Sequence, residues 1–316
     1  MNVPPEMVHF LRTSDDFFIA THIDPEGDAL GSSLALSLAL GAMGKRSRVF
    51  NRDAVPVIYR YLPSSESVTD QAPAYVDRLL LLDCNSLKRA ALEKTEIGVA
   101  AVIDHHSTGN DYGDIRWIVP DAPATGLMVY TLIKELGVPI SRDMAVNLYT
   151  AIGIDTGIFR FSNTTAECLF AAAELVTLGA VPSYIADRLY NNYSKGRFLL
   201  LKKVIETLEL HGTIAISAIT EAMFRESGTS AEDTENFVNF ALQMDEIQVA
   251  ALIRQVDQVD ALTWKVSLRS KEGADVSQVA VHFGGGGHRN ASGCTIKGEL
   301  ADIKKKILDK LSQIIS

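Results

Sequence analysis

Four short clusters of carboxylates and imidazoles are the residues of this 316-residue chain best suited to chemistry. The first is His22-Ile23-Asp24-Pro25-Glu26-Gly27-Asp28, followed by Gly31. The second is Asp83, directly after four leucines. The third is Asp104-His105-His106, after an apolar run at 100–103, and the fourth is Asp155-Thr156-Gly157, after 151–154. Each reads as the C-terminal end of a strand, where open α/β sheets build their sites. One such aspartate alone is ordinarily a helix cap or a turn former. Four together ask for another account, because like charges gathered in a cleft repel strongly unless something neutralises them. A divalent cation does so, and carboxylates with a minority of imidazoles suit manganese or magnesium better than structural zinc. Two such ions about 3.5–4 Å apart share a bridging carboxylate and a bridging water, lower the water's pKa and clamp phosphate oxygens during in-line attack. A second histidine beside a ligand histidine is then placed to meet the substrate, as a cation for phosphoryl oxygens or a proton donor to the leaving oxygen.

The elements that must position these groups can be read from the apolar pattern. Residues 17–23 (FFIATHI) read as a strand and 29–43 as a buried helix of small and apolar residues; 48–50, 79–82 and 99–103 read as further strands. Continuous apolar runs, rather than alternating ones, indicate strands covered on both faces, as in a parallel sheet. Helical stretches follow at 125–136, 142–154 and 165–178, with Gly137 and Gly179 as terminators. The expectation is an α/β, doubly wound catalytic domain with a mostly parallel sheet over residues 1–190. A long amphipathic helix at 194–210 lies in a connecting segment, 191–211, and the domain boundary falls between about 185 and 212. Residues 212–316 read as a smaller α+β domain: strands at 213–219, 247–255 and 263–268, a helix near 231–244, a Gly-rich loop and a terminal helix at 300–315.

Composition narrows the function classes. Hydrophobic residues make up 47% and charged residues 22%, ordinary for a globular chain with a sizeable core. A formal net charge of -9 argues against a broad grip on long duplex nucleic acid but leaves short nucleotides open. Cys84, Cys168 and Cys294 are few, odd in number and far apart, which suits a reducing cytoplasm. The N-terminus lacks the features of a signal peptide, and 29–43, interrupted by Ser32, Ser33 and Ser37, is too short to span a bilayer. A cytoplasmic protein without a membrane partner is expected, with a homodimer left open. His9 and His211 lie outside every cluster, His282 reads as a loop support or a core residue, Lys304 to Lys306 as a solvated face, and Trp117 and Trp264 as core.

In this order the clusters resemble the DHH phosphoesterase family, named for the triplet that stands here as Asp104-His105-His106. Residues 22–32, Asp83, 104–110 with Tyr112-Gly113, and Asp155-Thr156-Gly157 match its catalytic half. Phe283 to His288, continuing Arg289-Asn290-Ala291-Ser292-Gly293, resembles the signature of its associated substrate domain. By position, the resemblance implies one metal held by His22, Glu26 and Asp83, and a second held by Asp28, Asp83, His105 and Asp155, with Asp83 bridging. His106 takes the substrate-facing catalytic role, and Asp104 orients a histidine. The family usually has aspartate at position 26; the extra methylene of Glu26 shifts the carboxylate, so the backbone or the metal must adjust, or Asp24 must help. In the Gly-rich run, Gly285, Gly286 and Gly287 let backbone N–H groups approach a phosphate or base, beside His288. Arg269 offers a fork suited to bidentate phosphate binding.

The activity so implied is that of a manganese-dependent (or magnesium-dependent) phosphodiesterase or phosphatase of the oligoribonuclease type. Its substrates would be very short RNA or DNA oligonucleotides or linear dinucleotides, cut to nucleoside monophosphates, and the 3′-phosphate of phosphoadenosine phosphate. The alternatives are a cyclic-dinucleotide phosphodiesterase, a pyrophosphatase or exopolyphosphatase, and a nucleotide-binding sensor without turnover.

Overall fold

The computed structural model describes residues 1–106, 112–190, 193–256, 262–271 and 273–315; positions 107–110 of the expected third motif lie outside them. The chain divides into two compact units, Met1–Asn192 and Tyr193–Ser316.

The first unit runs α1 (Pro5–Thr13), β1 (Asp16–Ala20), α2 (Gly27–Ala42), β2 (Arg46–Phe50), β3 (Tyr75–Leu82), β4 (Glu96–Asp104), β5 (Ile115–Ile118), α3 (Thr125–Glu135), α4 (Arg142–Asp155), α5 (Ala166–Thr177) and α6 (Pro182–Tyr190). Its strands pair in the order β2-β1-β3-β4-β5, parallel throughout. In this order the chain reverses its direction of progress between β1 and β3, and the crevice at such a switch point is where α/β sheets hold ligands. The four leucines before Asp83 show why the apolar runs are continuous. Leu80 and Leu82 face one core, Leu79 and Leu81 the other, and all four are 0% exposed. Truncating any one to alanine would cost about 2–5 kcal/mol.

The α/β class and the parallel sheet wound in both directions from β1 are as expected; among the described residues the helices lie on one face only. Helices α1 to α6 all feed the core on one face of the sheet. The other face is covered by Cys84, Leu87, Ala90 and Leu92 of the β3–β4 connection, which runs as turns, with Ala91 in a left-handed conformation (φ 53°) that no helix accommodates. One correction concerns Asp155, which ends helix α4 and not a strand. Ser141 caps that helix by accepting a hydrogen bond from the Met144 amide (3.3 Å), and the apolar stretch 151–154 is simply its last turn.

The second unit runs α7 (Lys195–Glu206), β6 (Glu209–His211), β7 (Ile214–Ile219), α8 (Glu221–Ser227), α9 (Phe237–Leu242), β8 (Val249–Gln255), β9 (Thr263–Ser270), α10 (Ser277–His282), β10 (Gly286–His288), β11 (Ala291–Lys297) and α11 (Leu300–Leu311). Its sheet has the order β10-β11-β9-β8-β7-β6, with only β7 and β8 parallel. Helices α10 and α11 cover one face. On the other face α7 packs Leu200 and Val204 against Ile219, Phe224 and Phe237, so this helix is part of the second unit's core. The helix expected near 231–244 is broken, because Asn236 adopts a left-handed conformation (φ 62°) between a 3₁₀ turn and α9. Trp264 is core, its indole N–H donating to the Gly298 carbonyl (3.1 Å), and Trp117 is core in the first unit. Among the described residues no single helix is long and apolar enough to cross a membrane.

Candidate metal centre

Small residues bring three helices of the first unit together. A Cβ on Gly31 of α2 would lie 2.4 Å from the Asn147 carbonyl oxygen of α4, and one on Gly27 2.5 Å from Ile154 Cγ1. A Cβ on Gly126 of α3 would lie 2.5 Å from Ala151 Cβ and 3.1 Å from Asp28 Oδ1. Any larger side chain would wedge these helices apart. Their close approach buries Asp28 completely and clamps it on the start of α3: Oδ2 accepts from the Thr125 amide and Oδ1 from the Gly126 amide, both at 2.7 Å, while the Ser32 hydroxyl donates to Oδ1 at 3.1 Å. A helix N-terminus carries partial positive charge and is a natural seat for a carboxylate.

Asp83 sits at the end of β3 in a left-handed backbone conformation (φ 56°), a strained choice for a residue with a side chain. Its amide still donates to the Ile103 carbonyl (3.0 Å), so the strain turns the carboxylate without releasing the strand. Oδ1 accepts from the Thr125 hydroxyl (3.0 Å) and lies 3.4 Å from His105 Nε2; Oδ2 lies 3.3 Å from His22 Nε2 and has no hydrogen-bond partner among the described residues. Both histidines are oriented from behind. His22 Nδ1 donates to the Ile23 carbonyl (2.7 Å) and His105 Nδ1 to the Ala122 carbonyl (3.0 Å), which leaves each Nε2 aimed at carboxylate oxygens, protonated there unless a cation takes the proton's place.

The ligand atoms gather in three groups, His22-Glu26-Asp83, Asp28-His105-Asp155 and Asp83-His105-His106, with the atoms of each group within 4.8 Å of one another. Asp155 Oδ2 is 3.1 Å from His105 Nε2. Asp83 and His105 each belong to two groups. Asp24 belongs to none; its amide donates to Asp53 Oδ2 (2.7 Å). The electrostatics are those of a site short of positive charge. Burial, with the Asp155 and Asp83 carboxylates, pushes Asp28 well above the usual carboxylate range, and burial raises Asp155. Against the effect of burial, hydrogen bonds to Asp155 and Asp83 push the His105 imidazole up to about 12. The same histidines hold Asp83 well below the usual range although it too is buried. Imidazole Nε2 atoms facing carboxylates across 3.1–3.4 Å, with Asp83 Oδ2 buried and short of a hydrogen bond, are a donor set that fits divalent cations, which bind as the imidazoles give up a proton.

His106 is set slightly apart. Its Nδ1 is 2.7 Å from Oδ1 of the wholly buried Asp104, which also accepts from the His106 amide (3.1 Å), and 3.6 Å from Asp83 Oδ1. Asp104 thus lies behind His106 and outside the three ligand groups.

In the second unit the Gly-rich run is half hairpin. Gly286 to His288 form β10, paired antiparallel with Ala291 to Gly293 of β11. A Cβ on Gly285 would lie 2.1 Å from the Gly293 carbonyl oxygen, and one on Gly287, at φ +137°, 2.6 Å from that of Ala291. These two glycines are needed for the hairpin to close. Gly286 differs, with nothing within 4 Å of where its Cβ would be. Register aligns His288, Ala291 and Arg269 across β10, β11 and β9, and Gly286, Gly293 and Ser267 one row along on the same face. Arg269 and His288 therefore flank a patch of glycine, alanine and serine on a half-exposed sheet face, two strands apart, or about 10 Å. The Arg269 guanidinium donates to the Leu268 carbonyl (3.0 Å).

Comparison with known proteins fits both units. Residues 16–152 match the model of the DHH family, N-terminal domain, and residues 211–316 that of the DHHA1 domain. The chain is 33% identical over 299 residues to the bifunctional oligoribonuclease and PAP phosphatase NrnA of Thermus thermophilus, a match covering 94% of this chain and 89% of the relative. The chain belongs to the DHH family. The protein of the same name from Bacillus subtilis is 26% identical, covering 92% of each chain. Among solved structures, an exopolyphosphatase-related protein from Bacteroides fragilis superposes with a TM-score of 0.92 at 27% identity, over 98% of this chain and 95% of the other. A putative family II inorganic pyrophosphatase of Methanococcus jannaschii, at 14% identity and a TM-score of 0.50 over 94% and 99%, shares the fold alone. As a DHH-family protein the chain is a metal-dependent hydrolase of phosphoester bonds.

Within this DHH frame, His22, Glu26, Asp28, Asp83, His105 and Asp155 come together in the first unit, and Arg269, Gly286 and His288 share a face of the second. Sequence reading missed Thr125 and Gly126, whose amides hold Asp28, and Ala122, whose carbonyl orients His105. A Thr-Gly pair opening a helical stretch was the only trace of the first two, and nothing in the sequence linked it to an aspartate so far upstream. His282 packs edge-on against Phe283 (4.9 Å), and His211 lies beside Glu209 (3.6 Å); neither belongs to the three ligand groups.

Proposed function

We propose that the chain hydrolyses very short oligonucleotides or linear dinucleotides to nucleoside monophosphates, and removes the 3′-phosphate of phosphoadenosine phosphate. The observation that carries this reading is the interlocking of the ligand groups through Asp83 and His105. His22, Glu26 and Asp83 would hold one divalent cation and Asp28, Asp83, His105 and Asp155 a second, manganese suiting the mixed oxygen and nitrogen donors best. Bound there, the cations supply an activated water and a clamp on phosphate oxygens. The protein's own groups do the rest. Carbonyls of Ile23 and Ala122 keep the ligand imidazoles in one tautomer. Asp104 grips His106 at Nδ1, so Nε2 is the atom offered to the substrate, placed to pass a proton to the leaving oxygen. In the second unit, Arg269 and His288 would take phosphate groups while the bare strip of Gly286, Ala291 and Gly293 admits a flat base. The oligoribonuclease and PAP phosphatase names of the Thermus and Bacillus relatives support this substrate class. A cytoplasmic location accords with three buried cysteines, none of them disulfide-bonded.

The test is incubation of the purified protein and manganese with a panel: 5′-labelled dinucleotide, pentanucleotide, phosphoadenosine phosphate, cyclic di-AMP and pyrophosphate. Monophosphate release from the dinucleotide is expected. Tight binding without cleavage would make the protein a sensor, and turnover of pyrophosphate alone would place it with the pyrophosphatases. Anomalous scattering from manganese-soaked crystals should show two peaks; one only, at Asp28-His105-Asp155, would remove Glu26 from the ligand set.

A further inference from the structure

Directly after Asp155 the backbone makes a turn that a plain connection would not need. Gly157, Ile158 and Phe159 are all left-handed, with φ of 57°, 54° and 60°, and only the first is a glycine. Hydrogen bonds enforce it. The Ile158 amide donates to the Gly153 carbonyl (2.6 Å), Phe159 to the Thr156 hydroxyl (3.1 Å), and Arg160 and Phe161 both to the Thr156 carbonyl (2.9 Å). The Asn163 side chain closes the loop by donating to the carbonyls of Asp155 (3.0 Å) and Pro123 (3.1 Å). This turn packs the half-buried Ile158 and Phe159 against the core, Phe159 edge-on to Tyr149 at 5.7 Å.

Phe161 is treated in the opposite way. It is 53% exposed and lies outside that core. The far edge of its ring rests over Gly157, where a Cβ would come within 2.5 Å of Cζ, and its amide is tied to the residue next to Asp155. Single exposed apolar side chains are ordinary. This one is instead held by a strained, closed loop at the rim of the metal centre, on a glycine whose bareness makes room for the ring. A nucleobase lies a few bonds from the phosphate it accompanies, and an aromatic face stacks on any base without reading its edges.

We propose that Phe161 is a stacking platform for a nucleobase of the substrate, selecting nucleotides over simple phosphates without choosing among bases. The inference rests on the nucleotide reading of the site given above. Its test compares the wild type, Phe161→Leu and Phe161→Trp in manganese, on a diadenylate dinucleotide and on the same compound with one base removed. Phe161→Leu is expected to raise KM for the dinucleotide roughly tenfold, within the range of one base–aromatic stack. Its kcat should stay within about twofold, and Phe161→Trp should restore KM. The advantage of the base-bearing over the abasic compound should shrink by the same factor as KM rises. An unchanged KM overturns the proposal, as does a fall in kcat shared by both substrates, which would make Phe161 a support for Asp155. A wild type that splits pyrophosphate but no dinucleotide overturns the nucleotide reading itself, and the stacking platform with it.

Discussion

At the metal centre of the first unit, Asp28, Asp83 and Asp104 are at most 1% exposed; Asp28 and Asp83 are held by partners from an element distant in sequence, and Asp104 by the amide and ring of His106. On the hairpin face of the second unit, Gly286 and His288 are exposed, Arg269 is half-buried, and the decisive feature at Gly286 is empty space. The two surfaces solve different problems. Chemistry on a phosphoester requires charges set in advance in a dry place, where they act at full strength. Recognition of a flat, variable ligand requires room and a few polar groups at its margin. The contrast predicts that lesions in the first unit will destroy turnover, whereas lesions in the second will shift affinity or local folding.

The sharpest break of that contrast would come at Asp83. Asp83→Ala should remove turnover by more than the roughly 100-fold typical of a supporting residue, and should abolish the stabilisation that manganese gives in thermal melts. A variant that still binds two manganese ions by calorimetry would end the bridging role. His106→Ala should lower kcat by about 10²–10⁴-fold with manganese binding retained, and Asp104→Asn by about 10–100-fold. Equal losses in both would mean that Asp104 does more than orient a ring; unchanged rates in His106→Ala would exclude it from proton transfer.

In the second unit the informative pair is adjacent. Gly285→Ala, whose Cβ would overlap the Gly293 carbonyl, should destabilise the chain by about 1–3 kcal/mol in chemical denaturation. Gly286→Ala should stay within about 0.5 kcal/mol and instead raise KM for a dinucleotide. Equal stability losses would mean that Gly286 serves the hairpin, and the comparison between filled and open space would fail. The smallest effect concerns the thiols. Burial pushes both Cys84, beneath the metal centre, and Cys294, in β11, up to about 11, so each should stay protonated and unreactive toward a thiol reagent at pH 8, gaining reactivity only as pH approaches that value. A faster reaction at Cys294 would report that the hairpin opens more readily than the centre.

How much of this was legible in the sequence follows from range. Asp83 and Asp104-His105-His106 could be placed because the apolar runs before them, such as 79–82, are local and unambiguous. Asp155 was expected beside Asp28 and His105, where the structure groups it, but on the wrong element, since four apolar residues read equally well as a strand or a helix end. Strand β10 was hidden because glycines carry no strand signal; its pairing is set by β11 and β9. The α2–α4 contact through Gly27 and Gly31 was likewise unreadable, because a helix that is small and apolar all round does not say which face meets which partner.

The clamp on Asp28 has a consequence for the order of events during synthesis. Asp28 emerges from the ribosome with α2, but the amides that receive its carboxylate belong to Thr125 and Gly126. Until that much more chain has been made, the acid has no seat and α2 has no reason to bury it. The seat for Asp28 is therefore completed only when α3 is available, and burial of α2 around it is expected to wait for that helix. A translational pause just before position 125 would hold the chain in its most aggregation-exposed form.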